Sequence, residues 1–278
     1  MKTRIVTDSS SNLFALQGVD FACVPMKIIT RQAEYADTPA LDVTAMVEAL
    51  RRAGRPSSSS CPNTHEWLTA FGDADEVFAV TITGTLSGSH SAAVQAAEEY
   101  RAAHPGAKVC VLDSLSAGPE LQLTIERLRA GILAGRPFEA LAEEARAGQR
   151  RTHLSFALQS MTNLASNGRV SPAVAKLASV LGICVVGRAS AEGTLEPMHK
   201  CRGEKNALRT LFSDMKAMGY AGGRVRIAHC MNETGAQQLV ALIRAEHPDA
   251  DVTVDACGGL CSYYAEKGGL MVGFDGEA

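Results

Sequence analysis

A two-part α/β protein is predicted: a mostly parallel sheet with flanking helices in the first half, then a second α/β region with a mixed sheet. Three observations predict it. Short, β-branched apolar runs alternate with helix-length runs from Arg4 to Gln149, the pattern of a sheet covered on both faces. The pattern changes at the basic connector Gln149-Arg-Arg-Thr152, which places a boundary between regions 1–150 and 151–278. At 278 residues the chain can form two medium domains, each with its own core.

In the first region, Arg4–Thr7, Phe21–Pro25, Val77–Ile82 and Lys108–Asp113 read as strands. Helices are expected over Val43–Arg52, around Glu66–Phe71, and over His90–Ala103, Leu121–Ala134 and Phe138–Gln149. The run Ser57-Ser-Ser-Ser60 is short enough to be a loop. In the second region an Asn167-Gly168 turn precedes a helix over Pro172–Val180, a strand over Ile183–Val186 and a turn-rich segment Ala191–Pro197. A helix over Glu204–Met218, a strand over Arg224–His229, a helix over Thr234–Glu246 and strands Val252–Val254 and Leu270–Phe274 follow, with some antiparallel pairing.

Composition removes several classes of function. A hydrophobic content of 46% with 21% charged residues is that of an ordinary globular protein. A formal charge of −3 and 5% aromatic residues supply neither the basic field nor the stacking platforms of a nucleic-acid binder. The chain enters a strand directly from Met1, without a signal core, and has no apolar run of membrane-spanning length, so a cytoplasmic protein with no integral membrane segment is expected. The eight cysteines sit mostly in apolar runs and read as small core residues; Cys257-Gly-Gly-Leu-Cys261 lacks Cys-x-x-Cys spacing, and no metal site is expected.

The segment Thr81-Ile-Thr-Gly-Thr-Leu-Ser-Gly-Ser-His90 carries the chemistry. It turns an apolar strand into an Ala-rich helix, whose first N–H groups and positive dipole end point into the turn. Gly84 and Gly88 allow close approach of backbone and ligand, and Ser87 and Ser89 add neutral donors. An ordinary helix cap by Ser87 or Ser89 is the competing reading. A second hydroxyl cluster, Ser57–Thr64, can face the same ligand. Asp8-Ser-Ser10 and Asp113-Ser114 also fall at carboxyl ends of strands, where open α/β sheets bind ligands.

Together with Ile5-Val-Thr-Asp-Ser-Ser10, Val24-Pro-Met-Lys-Ile28, Ser59-Ser-Cys-Pro62, Val111-Leu-Asp-Ser114, Gly168-Arg-Val-Ser171 and Lys200-Cys-Arg-Gly-Glu-Lys205, this turn makes the chain resemble the DegV family of bacterial fatty-acid-binding proteins over nearly its whole length. The resemblance implies a DegV-like fold that encloses one long-chain fatty acid, with no other cofactor, as a non-enzymatic carrier that presents the carboxylate to a fatty acid kinase. It implies that Ser59, in place of a threonine, and Ser87 hold the carboxylate. The family's Asp-Ser falls on Asp8 and Ser9, and Arg169 and Arg202 match positions that order the site or touch the kinase.

This chain departs from the family at three places. A His-x-Gly-Pro-Gly turn is here Tyr264-Ala-Glu-Lys-Gly268, so Tyr264 takes the place of a head-group histidine. The Gly-rich loop after the Asp-Ser strand is Leu115-Ser-Ala-Gly-Pro-Glu120, and an Ile-Lys-Pro-Ile strand is Ile183-Cys-Val-Val186.

Leu13, Phe14, Met26, Ile28, Leu86, Phe156, Leu158, Met161 and Leu164 are candidates for an acyl tunnel, and each would serve equally as ordinary core. By residue type alone, Arg169 and Arg202 are more often solvated surface charges than ligand contacts. Three other functions compete: a hydrolase with Ser87 as nucleophile and a histidine such as His90 and Asp8 or Asp113 as helpers, a binder of a phosphorylated small molecule at the Gly84–His90 turn, and a structural or regulatory protein whose lipid only stabilises the fold. No Gly-x-Ser-x-Gly elbow supports the first and no Gly-Lys-Ser/Thr ending the second.

Overall fold

The computed structural model describes residues 1–54, 57–174 and 182–277. Its first part runs β1 (Thr3–Asp8), β2 (Asp20–Val24), β3 (Lys27–Ile29), β4 (Glu34–Ala36), α1 (Val43–Ala53), β5 (Ser58–Ser60), α2 (Thr64–Phe71), β6 (Glu76–Thr81), α3 (Ser89–Ala103), β7 (Lys108–Asp113), α4 (Pro119–Leu133) and α5 (Phe138–Gly148). The remainder runs β8 (Thr152–Leu158), α6 (Thr162–Ser166), β9 (Ile183–Ala189), β10 (Leu195–Arg202), α7 (Glu204–Ala217), β11 (Val225–His229), α8 (Glu233–Glu246), β12 (Val252–Ala256), α9 (Gly259–Ala265) and β13 (Leu270–Asp275).

The four apolar runs of the first half make one parallel sheet, ordered β2-β1-β6-β7. Alternation within each strand feeds two cores. Ile5, Phe78 and Val80 pack with Leu121, Ile125 and Leu141 of α4 and α5, while Val6, Val77 and Ala79 pack with Trp67, Phe71 and Ala93 of α2 and α3. Burial on both faces explains why these strands read as unbroken apolar runs. The second sheet is mixed, ordered β10-β9-β8-β13-β11-β12, with β11 and β12 its parallel pair. Its outer core gathers Leu208, Leu211 and Met215 of α7 with Leu239 and Ile243 of α8.

Three short strands form an antiparallel sheet ordered β4-β3-β5, in which Ile28 pairs with Ser59. The serine run expected to be a loop is therefore strand β5; pairing with β3 supplies the regularity that its own composition lacks. The turn-rich segment Ala191–Pro197 is the end of a hairpin, closed by Ser190 N–H to Thr194 O at 2.8 Å, and β10 begins within it. The helix expected over Pro172–Val180 lies largely outside the described residues.

Helix α4 joins the two larger sheets, packing against β1 and β6 and also against β8, β11 and β13. Its start lies directly on Gly273 of β13, where an added Cβ would come within 2.5 Å of the Glu120 nitrogen and the Pro119 carbonyl carbon. These neighbours are backbone atoms and cannot turn aside. Gly273→Ala should therefore cost about 2 kcal/mol through overpacking, read as a lower urea midpoint at unchanged slope; an unaltered midpoint would show that α4 can lift freely from the sheet.

Candidate functional site

Between the sheets lies an apolar pocket walled by Met26, Ile82, Leu86, Leu154, Phe156, Leu158, Leu164, Leu260 and Met271. Leu154, Phe156 and Leu158 point into it because side chains two apart along β8 share a face. Ser10, Ser59, Ser87, Tyr264 and Arg169 also line it. No other lysine, arginine or histidine among the described residues does so.

Ser59 is placed by β5 and held by Tyr264, whose phenol oxygen lies 2.7 Å from the Ser59 hydroxyl. The adjacent pair repeats the arrangement, with Ser57 and Tyr263 hydroxyls 3.0 Å apart and Asn167 Nδ2 donating to Tyr263 Oη at 2.9 Å. Two consecutive tyrosines of α9 thus clip β5 in place. Arg169 donates to the Asn167 carbonyl at 3.2 Å. Burial pushes the Tyr264 phenol up from its ordinary pKa, and the Ser59 hydrogen bond and the Arg169 charge pull it back.

Ser87 sits in the turn between β6 and α3. Thr83 O accepts from the Leu86 and Ser87 amides, Gly84 N–H donates to the Asp113 carboxylate, and Ser87 Oγ accepts from Ser89 N–H at 3.2 Å. Gly88 begins α3 without a side-chain cap. A Cβ there would come 3.2 Å from the sulfur of Cys61, so Gly88 lets this turn approach the loop that follows Ser59. Both hydroxyls consequently face one cavity.

The remaining expected residues lie behind the lining or away from it. The fully buried Asp8 carboxylate accepts from Ile82 N–H at 3.0 Å, Ser89 Oγ at 2.7 Å, and both the amide and hydroxyl of Ser10. Burial raises its pKa, and the hydrogen bonds from Ser10, Ser89 and Ile82 counter that rise. Ser89 is buried against this carboxylate. Ser9 Oγ accepts from Met26 N–H at 3.0 Å, and Asp37 holds the first amides of α9 through Gly259 and Leu260. Asp8, Ser89 and Asp37 thus anchor the elements that carry Ser87 and Tyr264. Arg202 is exposed on β10 and does not line the cavity.

Of the tunnel candidates, Met26, Leu86, Phe156, Leu158 and Leu164 line the cavity. Leu13 and Phe14 face a separate cleft with Asp37, and Ile28 and Met161 are buried core. Sequence reasoning missed Leu154, Leu260, Cys261, Ala117 and Met271. Leu154 carried a signal in the period-two pattern of β8; Leu260 and Cys261 carried none, because α9 is short and its direction is set by Asp37. The hydrolase arrangement is not assembled: His90 Nδ1 lies 3.3 Å from Thr81 Oγ1, and no described histidine hydrogen-bonds to Ser87. All eight cysteines are free thiols. No described helix is long and apolar enough to cross a membrane.

Two sheets enclosing an apolar cavity that carries hydroxyls and one guanidinium define a protein built to enclose a single amphipathic molecule. The chain belongs to the DegV family: the family model described as uncharacterised protein, DegV family, matches residues 2–275. A DegV domain-containing protein of Streptococcus pneumoniae is 39% identical over 279 residues, covering 99% of both chains. A Eubacterium eligens DegV family protein, solved loaded with heptadecanoic acid, is 42% identical with a TM-score of 0.97, covering 99% of this chain and 100% of that one. The Streptococcus pneumoniae fatty acid kinase (Fak) B3 protein, solved loaded with linoleic acid, is 39% identical with a TM-score of 0.97, covering 100% of both chains.

Proposed function

We propose that this protein binds one long-chain fatty acid, with the carboxylate at Ser59, Ser87 and Arg169 and the acyl tail in the cavity between the sheets. The observation that carries this reading is the junction of an apolar cavity with a cluster of donors: two serine hydroxyls, the Tyr264 phenol and one guanidinium. Burying a methylene is worth about 0.8 kcal/mol, so a tail of about 16 carbons supplies on the order of 10 kcal/mol before ordering costs. The tail therefore sets affinity and the donors set orientation. In this reading residues 1–150 carry the head-group loops and residues 151–278 close the tail cavity.

The same reading makes the protein a cytoplasmic, non-catalytic carrier that takes no cofactor beyond its cargo and presents it to a fatty acid kinase. In that step a carboxylate oxygen bonds to the terminal phosphorus of a nucleoside triphosphate and the diphosphate leaves. Similarity to the Fak B3 protein supports the partner, and the placement of His90 against Thr81 supports a carrier over a hydrolase.

Native mass spectrometry of the protein as purified should show one added mass matching a fatty acid. Ser87→Ala should weaken binding by roughly 1 to 3 kcal/mol, the scale of a hydrogen bond to a charged group. Equal affinities for wild type and variant would remove Ser87 from the head-group site, and a purified protein that takes up no added fatty acid would end the proposal.

A further inference from the structure

Arg169, the one described cation of the cavity lining, is carried on the turn that ends the five-residue helix α6. The backbone of that turn is fixed within itself. Gly168, at a φ of +72°, donates to the Ala165 carbonyl at 3.0 Å, and Arg169 N–H donates to the Leu164 carbonyl at 2.8 Å, the paired bonds of a glycine-terminated helix end. Leu164 and Arg169 thereby reach the same cavity. The guanidinium donates to the Asn167 carbonyl at 3.2 Å, and it also acts on the Tyr264 phenol, which lies 2.7 Å from the Ser59 hydroxyl. A guanidinium has five N–H donors, so these contacts leave it the pair of donors that a carboxylate takes.

A helix of five residues has no stability of its own, so the direction of Arg169 depends on what fastens α6 to its surroundings. Two asparagines one turn apart do so. Asn163 Nδ2 donates to the Tyr263 carbonyl at 2.8 Å, and Asn163 N–H donates to Glu266 Oε1 at 3.0 Å, which ties the start of α6 to α9. At the other end, Asn167 Nδ2 lies 2.9 Å from Tyr263 Oη, 2.8 Å from the Asn163 carbonyl and 3.3 Å from the Ser57 carbonyl. One amide nitrogen therefore joins α6, the tyrosine pair of α9 and the residue that leads into β5. The carbonyl of the same residue faces the guanidinium. Asn167 itself does not line the cavity.

We infer that Asn167 is a positioning residue for the head group: its side chain anchors the α6 turn to Ser57 and Tyr263, and its carbonyl holds the Arg169 guanidinium beside the Ser59–Tyr264 pair. This rests on the reading above, in which Arg169 receives the carboxylate. Loss of the Asn167 side chain should then change how well the protein tells a carboxylate from a neutral head group, and not how well it holds the tail.

Affinities of the full-length protein for linoleic acid and linoleyl alcohol, which share a tail and differ in head group, separate the two effects. Asn167→Ala should weaken linoleic acid binding about tenfold, the scale of a hydrogen bond to a charged group, and leave linoleyl alcohol within about twofold of wild type. Arg169→Ala should act the same way. The double variant should be no worse than Arg169→Ala alone, because two changes that work through one group do not add. Tyr263→Phe takes one hydroxyl from the Asn167 amide and keeps the ring, so it should weaken the acid about threefold and spare the alcohol; it decides the matter if Asn167→Ala does not fold. The inference is overturned if acid and alcohol weaken alike, if the Asn167 and Arg169 losses add, or if the acid binds these Asn167 and Tyr263 variants as it binds wild type. Loss of acid preference in Arg169→Ala without loss in Asn167→Ala overturns the inference alone. An Arg169→Ala protein that prefers the acid as strongly as wild type removes the guanidinium from the head-group site, and the inference with it.

Discussion

Asp8→Ala should destabilise the protein by about 4 kcal/mol and abolish measurable fatty acid binding, although Asp8 does not itself line the cavity. Its carboxylate is the common acceptor for Ile82 N–H, Ser10 N–H and the hydroxyls of Ser10 and Ser89. The hydroxyls can turn to other acceptors once the carboxylate is gone. The two amides cannot, and a buried donor left unpaired costs about 1 to 3 kcal/mol. The methylene and carboxyl volume lost at a fully buried position adds to this. The effect on binding follows from where these donors sit: Ile82 lines the cavity, and Ser89 begins the helix that fixes the Ser87 turn. Asp8→Asn keeps the shape and one acceptor, so it should fall between wild type and alanine. Urea unfolding followed by circular dichroism gives the stabilities and a fluorescent fatty acid displacement assay gives the affinities. An alanine variant within 1 kcal/mol of wild type that still binds would show that the turn is held by other contacts.

That prediction also marks how much of the site was legible in the sequence. The parallel sheet was readable because its strands are buried on both faces, which forces contiguous Val, Ile and Phe. Ser59 and Ser87 were readable as candidate donors because hydroxyls and glycines cluster at the ends of strands, and both line the cavity. The division of labour among the polar residues was not. Asp8, Ser9 and Ser89 look as much like ligand contacts in sequence as Ser87 does, and only the pairing of Ser89 with Asp8 and of Ser9 with the Met26 amide shows that they hold the floor of the site. Tyr264 was flagged as a substitution, yet nothing in the local sequence reveals that it and Tyr263 clip Ser57 and Ser59. That contact joins residues more than 200 positions apart, and local periodicity carries no information about it. The same limit applies to β5, whose strand character comes from pairing with Ile28 and not from four serines.

A second buried acid gives the other large effect, and its sign is opposite. Glu120, in the first turn of α4, is fully buried, with Ser116 Oγ donating to one carboxylate oxygen and Thr152 Oγ1 donating to the other at 2.9 Å. Burial pushes its pKa up to about 7 from 4.5, and the two hydroxyl donors only partly offset this. No cation faces it. Below pH 4.5 the carboxyl is protonated in both folded and unfolded chains, so its contribution to stability is fully present. As pH rises toward 7 the unfolded chain releases the proton while the folded protein retains it, and stability falls by about 3 kcal/mol in total. Above that pH the loss is constant. Glu120→Gln keeps the volume and carries no proton to lose, so at pH 8 it should be more stable than wild type by about 3 kcal/mol, less the cost of any weakened hydrogen bond to Ser116 or Thr152. Near pH 4.5 the two should converge. Asp8 and Asp37 also have raised pKa values and add their own pH dependence, but both are present in the two proteins, so the difference between variant and wild type isolates Glu120. Urea midpoints at pH 4.5, 6, 7 and 8 measure it, and two parallel stability curves would show that Glu120 ionises as freely in the folded protein as in the unfolded chain. The location gives the effect a functional reach. Ser116 passes its carbonyl to Thr83 in the head-group turn, and Thr152 begins the strand that carries Leu154 and Phe156 into the cavity. A charge on Glu120 therefore loads the seam between the two sheets that enclose the tail, and release of bound fatty acid should quicken from pH 6 to pH 8 in wild type and stay level in Glu120→Gln.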